Sequence, residues 1–200
     1  GDTNSVFAAA LAATKLHINV GHVEAGLRSY DRYMPEEINR ILTDHCSDYL
    51  FAPTEKAKAT LIGEGISEEK IFVTGNTIVD AVHQALEIAR GQSNPLDTLS
   101  LKPKEYFLVT VHRQENVDDP VRFGSIVKGL IKVAEAFHML LVYPIHPRAR
   151  RRLSEFDLKP QSLMLVEPVD FLSFLQLENN AKLILTDSGG VQEESCILGV

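Results

Sequence analysis

Short apolar runs alternate with longer amphipathic stretches along the whole chain. Residues 18–23, 49–52, 71–74, 106–111, 139–143, 163–166 and 183–185 read as strands. Helices are expected between them. An Ala- and Leu-rich stretch covers 6–16, and Pro35 opens a helix whose inner face is marked by Ile38, Ile41, Leu42 and His45. That face leaves Glu36, Glu37, Arg40 and Asp44 to point elsewhere. Further helices start at Pro53-Thr54 and cover 78–90, 119–137, 170–177 and 191–198. In 119–137 the apolar positions are Phe123, Ile126, Val127, Leu130, Ile131 and Ala134. Regular strand–helix alternation predicts an α/β fold with parallel sheets covered on both faces. The pattern breaks once, where Gly91, Ser93, Asn94, Pro95 and Pro103 cluster with little periodicity. This predicts residues 1–91 in one α/β domain, a linker at 92–104, and a second domain at 105–200.

Composition narrows the class. Of 200 residues, 44% are hydrophobic and 24% charged, as in a soluble globular protein. A net charge of −7 with no basic stripe argues against a nucleic-acid partner. The one dense cationic run, Arg148 and Arg150 to Arg152, suits a solvated helix face. Cys46 and Cys196 form no CxxC pair, so neither a disulfide scaffold nor a metal site is expected, which suits a cytoplasmic protein. The longest apolar run, 6–13, is too short to span a bilayer, so no membrane partner is expected. Gly63 and Gly65 lack a third glycine, which excludes a dinucleotide fingerprint there. The chain opens Gly-Asp-Thr without a Met and stops at Leu-Gly-Val in a helix-like run; a piece of a longer protein is expected.

The richest chemistry lies at 182–198, KLILTDSGGVQEESCIL. An apolar strand, buried on both faces, would deliver Thr186, Asp187 and Ser188 as small capping residues. Gly189 and Gly190 then let a ligand approach the backbone, and a helix follows. A strand, a Gly-Gly turn and a helix N-terminus make an anion site, usually for phosphate. Glu194, one turn in, is placed to accept from sugar hydroxyls. The plainer role is an ordinary strand–turn–helix link. Other candidates each have a plain alternative. Asp2 sits at a sheet edge or caps the first helix. Glu24 stands four residues before Arg28 and pairs with it or acts on a ligand. Glu36 compensates a helix dipole or does chemistry. His112 and His146 each follow a strand, and Phe174 is core or a base-stacking platform.

Five motifs occur in order: GDTN at Gly1, HVEAGLRS at His22, MPEEINR at Met34, HRQEN at His112 and LTDSGGVQEES at Leu185. VTGNT at Val73 and YPIHP at Tyr143 join them. As an ordered set they resemble the middle of the non-hydrolysing UDP-N-acetylglucosamine 2-epimerases, over essentially the whole chain. The resemblance implies a glycosyltransferase-B-like architecture: two Rossmann-like domains with the active site between them, here truncated at both ends. It implies reversible inversion at C2 between UDP-GlcNAc and UDP-ManNAc, by anti elimination of UDP and re-addition. No NAD or other cofactor is implied, and the full-length protein is expected to be a homodimer with a UDP-sugar substrate. By motif match the catalytic groups are Asp2, Glu24, Glu36 and His112. The UDP contacts are Ser188, Gly189, Gly190 and Glu194, with Phe174 near the uracil. Arg113 and His146 match part of a second, regulatory site known in bacterial members. Arg40 and Asp44 lie in the pattern without a role that follows from the residues. A hydrolysing 2-epimerase and a nucleotide-sugar-binding regulator without catalysis are the alternatives.

Overall fold

The apolar runs become two separate parallel sheets in the computed structural model, which describes residues 1–200. Two compact units result, Gly1–Thr77 and Ile78–Val200.

In the first unit α1 (Asn4–Lys15), β1 (Gly21–Val23), α2 (Pro35–Cys46), β2 (Tyr49–Ala52), α3 (Glu55–Gly63) and β3 (Ile71–Val73) follow in order. The strands pair β1-β2-β3, with His22 beside Leu50 and Leu50 beside Ile71. Parallel neighbours need a crossover, and α2 and α3 provide the two. Leu50, Ala52, Ala57, Leu61 and Ile71 pack with Ala25 as the core of this unit. Thr3 caps α1 by accepting from the Val6 N–H. Asp2 therefore does not take the capping role its position offered.

Helix α2 departs from the sequence expectation. Its buried residues are Glu37, Asn39, Thr43 and Asp44, whereas Leu42 is 41% exposed and His45 is exposed. Glu37 and Asp44 can turn inward because backbone N–H groups, an arginine and a histidine meet them there. Glu37, Arg40 and Asp44 stand at i, i+3 and i+7, a stripe with helical spacing of its own.

The second unit runs α4 (Thr77–Ala89), α5 (Pro95–Thr98), β4 (Tyr106–Thr110), α6 (Gln114–Val117), α7 (Pro120–Phe137), β5 (Leu140–Pro144), α8 (Pro147–Glu155), β6 (Leu163–Val166), α9 (Phe171–Asn180), β7 (Leu183–Thr186) and α10 (Gly189–Leu198). The sheet order is β6-β5-β4-β7, all parallel. The two-residue side-chain period of β4 divides its residues between two cores. Phe107 and Val109 face Phe123, Val127 and Leu141, while Tyr106 and Leu108 face Val142, Leu177 and Ala181. Burial on both faces was also expected of β7, but Leu183 is 41% exposed because β7 pairs with β4 alone and forms the sheet edge.

The units divide between Thr77 and Ile78, ahead of the composition break at 91–104. Packing explains the difference. Val82 and Ala85 of α4 are buried against Leu175 of α9, and the Gln176 side-chain amide donates to the Ala89 carbonyl at 2.9 Å. Within the stretch read as linker, Leu96 and Leu101 are buried against Tyr106 and Leu177. One helical turn gives no periodicity to read, yet two leucines suffice to anchor it. Helix α10 ends at Leu198, where Gly199 adopts φ 70° and closes it, rather than running on through Val200.

Candidate functional site

Two polar clusters stand out, one in each unit. The first lies where β1 ends. Glu24, directly after the strand, holds φ 67°, a left-handed conformation that costs a non-glycine residue about 1–3 kcal/mol. The turn is pinned on its far side. The Ala25 N–H donates to the Phe51 carbonyl at 3.1 Å. Gly26, at φ 81°, lies so close to α3 that a Cβ there would meet the Ala57 carbonyl oxygen at 2.4 Å. The Gly1 nitrogen donates to the Val23 carbonyl at 2.6 Å. Asp2 and Glu24 thus each follow one member of a hydrogen-bonded pair at the carboxyl end of β1.

Helix α2 supplies the rest. Arg40 Nη2 donates to the Asp2 carboxylate at 2.7 Å, and Asn39 donates to the Asp2 carbonyl at 2.9 Å. Arg40 Nη1 also reaches Glu37 at 3.1 Å. Glu36 stands one turn before Arg40 on the same face, exposed and without a hydrogen bond or ion pair. Burial works against the charge on Glu37. The N–H groups of Ser29 and Tyr30, the Ser29 hydroxyl and Arg40 outweigh it and hold that carboxyl below the usual range.

Behind these groups lies a buried ionic network. Asp44 accepts from His22 Nδ1 at 2.6 Å, Arg28 Nη2 at 2.7 Å and the Gly26 N–H at 3.2 Å. His22 Nε2 bonds the Gly1 carbonyl at 2.8 Å. Arg28 is bidentate to Glu64, at 2.8 and 2.6 Å. Burial alone would lower the Arg28 pKa, but Glu64 and Asp44 raise it, so the guanidinium stays charged. The sequence offered Glu24 as the partner of Arg28. Asp44 and Glu64 take that place, and no side chain pairs with the Glu24 carboxylate.

The second cluster gathers at the carboxyl ends of β4 and β7. Asp187 accepts from the N–H groups of His112 and Arg113 and from the Asn116 amide, at 2.9–3.2 Å. Its Oδ1 lies 3.0 Å from His112 Nδ1. Burial opposes the Asp187 charge, yet Asn116, these two N–H groups and His112 together keep its carboxyl below the usual range. Asp187 thereby orients the His112 ring, a role its reading as a mere capping residue missed.

Ser188 is the N-cap of α10 and accepts from the Val191 N–H at 3.4 Å. A Cβ on Gly189 would meet nothing, and one on Gly190 would reach only Ser188 Oγ at 4.0 Å, both without positive φ. Neither backbone angle nor internal packing calls for these glycines, which keep the first N–H groups of α10 accessible from outside. In α9, Glu178 is fully buried, and neither of its carboxyl oxygens has a hydrogen-bond partner. Burial, then the nearby Glu194 charge, pushes the Glu178 carboxyl up to about 9. Burial likewise raises Glu194; Glu178 opposes that rise and the Glu193 charge adds to it.

The remaining candidates have plainer surroundings. Phe174 is half-buried against the core around Leu108 and Leu177. His146 Nδ1 accepts from the Arg148 N–H at 3.2 Å and caps α8. Arg113 lies 3.6 Å from Glu115. Arg148 and Arg152 meet Asp118 at 3.0 Å, and Arg150 meets Glu167, so the cationic run is largely neutralised. No group of three His, Cys, Asp or Glu side chains is arranged to hold a metal ion, and no helix is long and apolar enough to cross a membrane.

Comparison with known proteins matches a family model described as UDP-N-acetylglucosamine 2-epimerase to residues 1–200. A protein named UDP-N-acetylglucosamine 2-epimerase from Methanocaldococcus jannaschii is 56% identical over 100% of this chain and 57% of its own. The crystal structure of the Methanocaldococcus jannaschii UDP-GlcNAc 2-epimerase in complex with UDP-GlcNAc and UDP superposes with a TM-score of 0.88, at 56% identity, over 100% of this chain and 57% of that one. A UDP-2,3-diacetamido-2,3-dideoxy-D-glucuronate 2-epimerase from Pseudomonas aeruginosa is 44% identical over 100% of this chain and 55% of its own. The chain therefore spans little more than half the length of these relatives.

Proposed function

Because the chain belongs to the UDP-N-acetylglucosamine 2-epimerase family, we propose that the full-length protein reversibly inverts C2 of UDP-N-acetylglucosamine to give UDP-N-acetylmannosamine, without hydrolysis. The observation that carries this reading is the carboxylate arrangement at the end of β1. Asp2 is paired with Arg40, while Glu24 and Glu36 have no N–H or O–H donor from any side chain. Carboxylates saturated with donors build structure; these two are available to exchange protons.

No carbonyl adjoins C2, so its hydrogen is not acidic and simple deprotonation is very slow. Elimination avoids this. A carboxylate takes the C2 proton as the C1–oxygen bond breaks on the opposite face. The electron pair of the C–H bond forms the C1–C2 double bond, and UDP leaves as an anion. The intermediate is a 2-acetamidoglucal. UDP then re-adds at C1, and a second acid returns a proton to the other face of C2. Asp2, Glu24 and Glu36 are the candidate acids and bases, with His112 held by Asp187 as a further donor. The leaving diphosphate suits the N–H groups of Ser188, Gly189 and Gly190 at the positive end of α10. Glu194 would accept from the ribose hydroxyls, and Phe174 would flank the uracil. Arg113 and His146 would belong to a second, regulatory UDP-sugar site, and the full-length protein would act as a homodimer. No cofactor enters this scheme.

Incubating the full-length protein with UDP-GlcNAc tests the reading. UDP-ManNAc is the expected product; free sugar with UDP would indicate the hydrolysing reaction. The Pseudomonas relative's name makes the diacetamido-glucuronate sugar the competitor to assay beside it. Glu194→Ala is expected to weaken UDP binding by about 1–3 kcal/mol, the scale of a lost charged hydrogen bond. Unchanged affinity by calorimetry would reduce Glu194 to a helix-dipole charge.

A further inference from the structure

Arginine is neither acid nor base near neutral pH, so Arg40 does not itself move the C2 proton. Yet α2 places it among the groups assigned to that task. Pro35 opens the helix, and Glu36 and Glu37 stand four and three residues before Arg40, as neighbours on the helix surface. The guanidinium divides its fork between two carboxylates. Nη1 donates to Glu37 Oε2 at 3.1 Å, and Nη2 donates to Asp2 Oδ2 at 2.7 Å, 38 residues away in sequence.

One of these partners is fixed independently and the other is not. Glu37 is buried and also accepts from the Ser29 and Tyr30 N–H groups, at 2.8 and 2.9 Å, so it anchors the guanidinium. The Asp2 side chain is 34% exposed. Asn39 holds only its backbone, donating to the Asp2 carbonyl and to Asn4 Oδ1, each at 2.9 Å. Arg40 is the one side chain that donates to the Asp2 carboxylate. Without that bond the carboxylate would turn freely about its two side-chain torsions.

We infer that Arg40 is a positioning residue for the C2 proton transfer: anchored by Glu37, it binds Oδ2 of Asp2 and leaves Oδ1 as the oxygen that exchanges a proton. This deepens the reading of Asp2 as an acid or base of the elimination and rests on it. The bond also ties Asp2 to the helix that carries Glu36, so two of the candidate acids share one rigid support. An arginine suits the task because its planar fork spans two carboxylates in a set geometry. Lysine keeps the charge, but its single Nζ on a flexible stem does not reproduce the fork.

Turnover of UDP-GlcNAc by the full-length protein, with UDP affinity measured by calorimetry, tests this. Arg40→Met should lower kcat by about 10- to 100-fold, the scale for displacing a reacting group by about 1 Å, while UDP affinity stays within a few-fold. Arg40→Lys should recover part of that loss. The decisive comparison is made in an Asp2→Asn background, whose residual turnover is followed in long incubations. There Arg40→Met should cost no more than about 2-fold, because the group it positions no longer transfers a proton. If Arg40→Met does not fold, Arg40→Lys is carried through the same cycle. Wild-type kcat in the Arg40 variants, or an equal loss in both backgrounds, overturns the positioning role alone. Wild-type turnover by Asp2→Asn overturns instead the assignment of Asp2 on which the inference rests.

Discussion

In the full-length protein, Glu24→Gln and Glu36→Gln are each expected to lose at least about 10²-fold in turnover, the lower end for loss of general acid–base assistance. UDP affinity should stay within a few-fold. The reasoning separates acids by what already satisfies them. Glu37 takes two backbone N–H groups and Arg40; Asp44 takes His22, Arg28 and Gly26; Glu64 takes both ends of Arg28. Such carboxylates gain nothing by accepting another proton. Glu24 and Glu36 have no comparable donors, and Glu24 is held in a left-handed backbone conformation that the Gly26 turn enforces. An amide at either position is nearly isosteric but cannot shuttle a proton. The kinetic signature is a fall in kcat with little change in ligand affinity. Near-normal turnover by both variants would reduce these glutamates to surface charges and leave Asp2 and His112 as the candidates.

Asp44→Ala carries the largest expected effect on stability. The carboxylate is fully buried and satisfies a histidine, an arginine and a backbone N–H at once. Its removal leaves Arg28, itself 2% exposed, with Glu64 as its sole counter-ion, and leaves the Gly26 N–H without a partner. Breaking a buried pair in this way costs about 3–5 kcal/mol. Denaturant unfolding should register the loss in the transition that includes the first unit. Activity should fall too, since Asp44 holds His22, and His22 holds the Gly1 carbonyl next to Asp2. A loss below about 1 kcal/mol, the scale of a surface pair, would mean that this network is dispensable.

The sequence revealed the strands well because each is a compact apolar run. Residues 49–52 and 163–166 were placed at their observed bounds. The alternation of strand and helix likewise gave the parallel sheets. What it concealed depends on contacts distant in sequence. Glu64 lies 36 residues from Arg28, and Asp187 lies 75 from His112, so no local pattern joins them. Helix α2 misled because Ile38, Ile41 and Leu42 share a helical spacing, and apolar spacing is normally the inner face. The competing stripe of Glu37, Arg40 and Asp44 was equally regular, and its match to a family motif was the signal to weigh. Glu178 was readable as a misfit, a charge on the apolar stripe of α9. Two leucines anchoring one helical turn, in contrast, cannot be told from a linker by composition.

The proposed mechanism has a solvent-exchanging carboxylate move the C2 proton during reversible elimination. Running the full-length protein on UDP-GlcNAc in D₂O tests it most directly, with the UDP-ManNAc product read by NMR or mass spectrometry. Deuterium at C2 of the product is the expected result. Product that retains the original hydrogen at C2 would contradict it, because no exchanging acid or base would then have handled that proton.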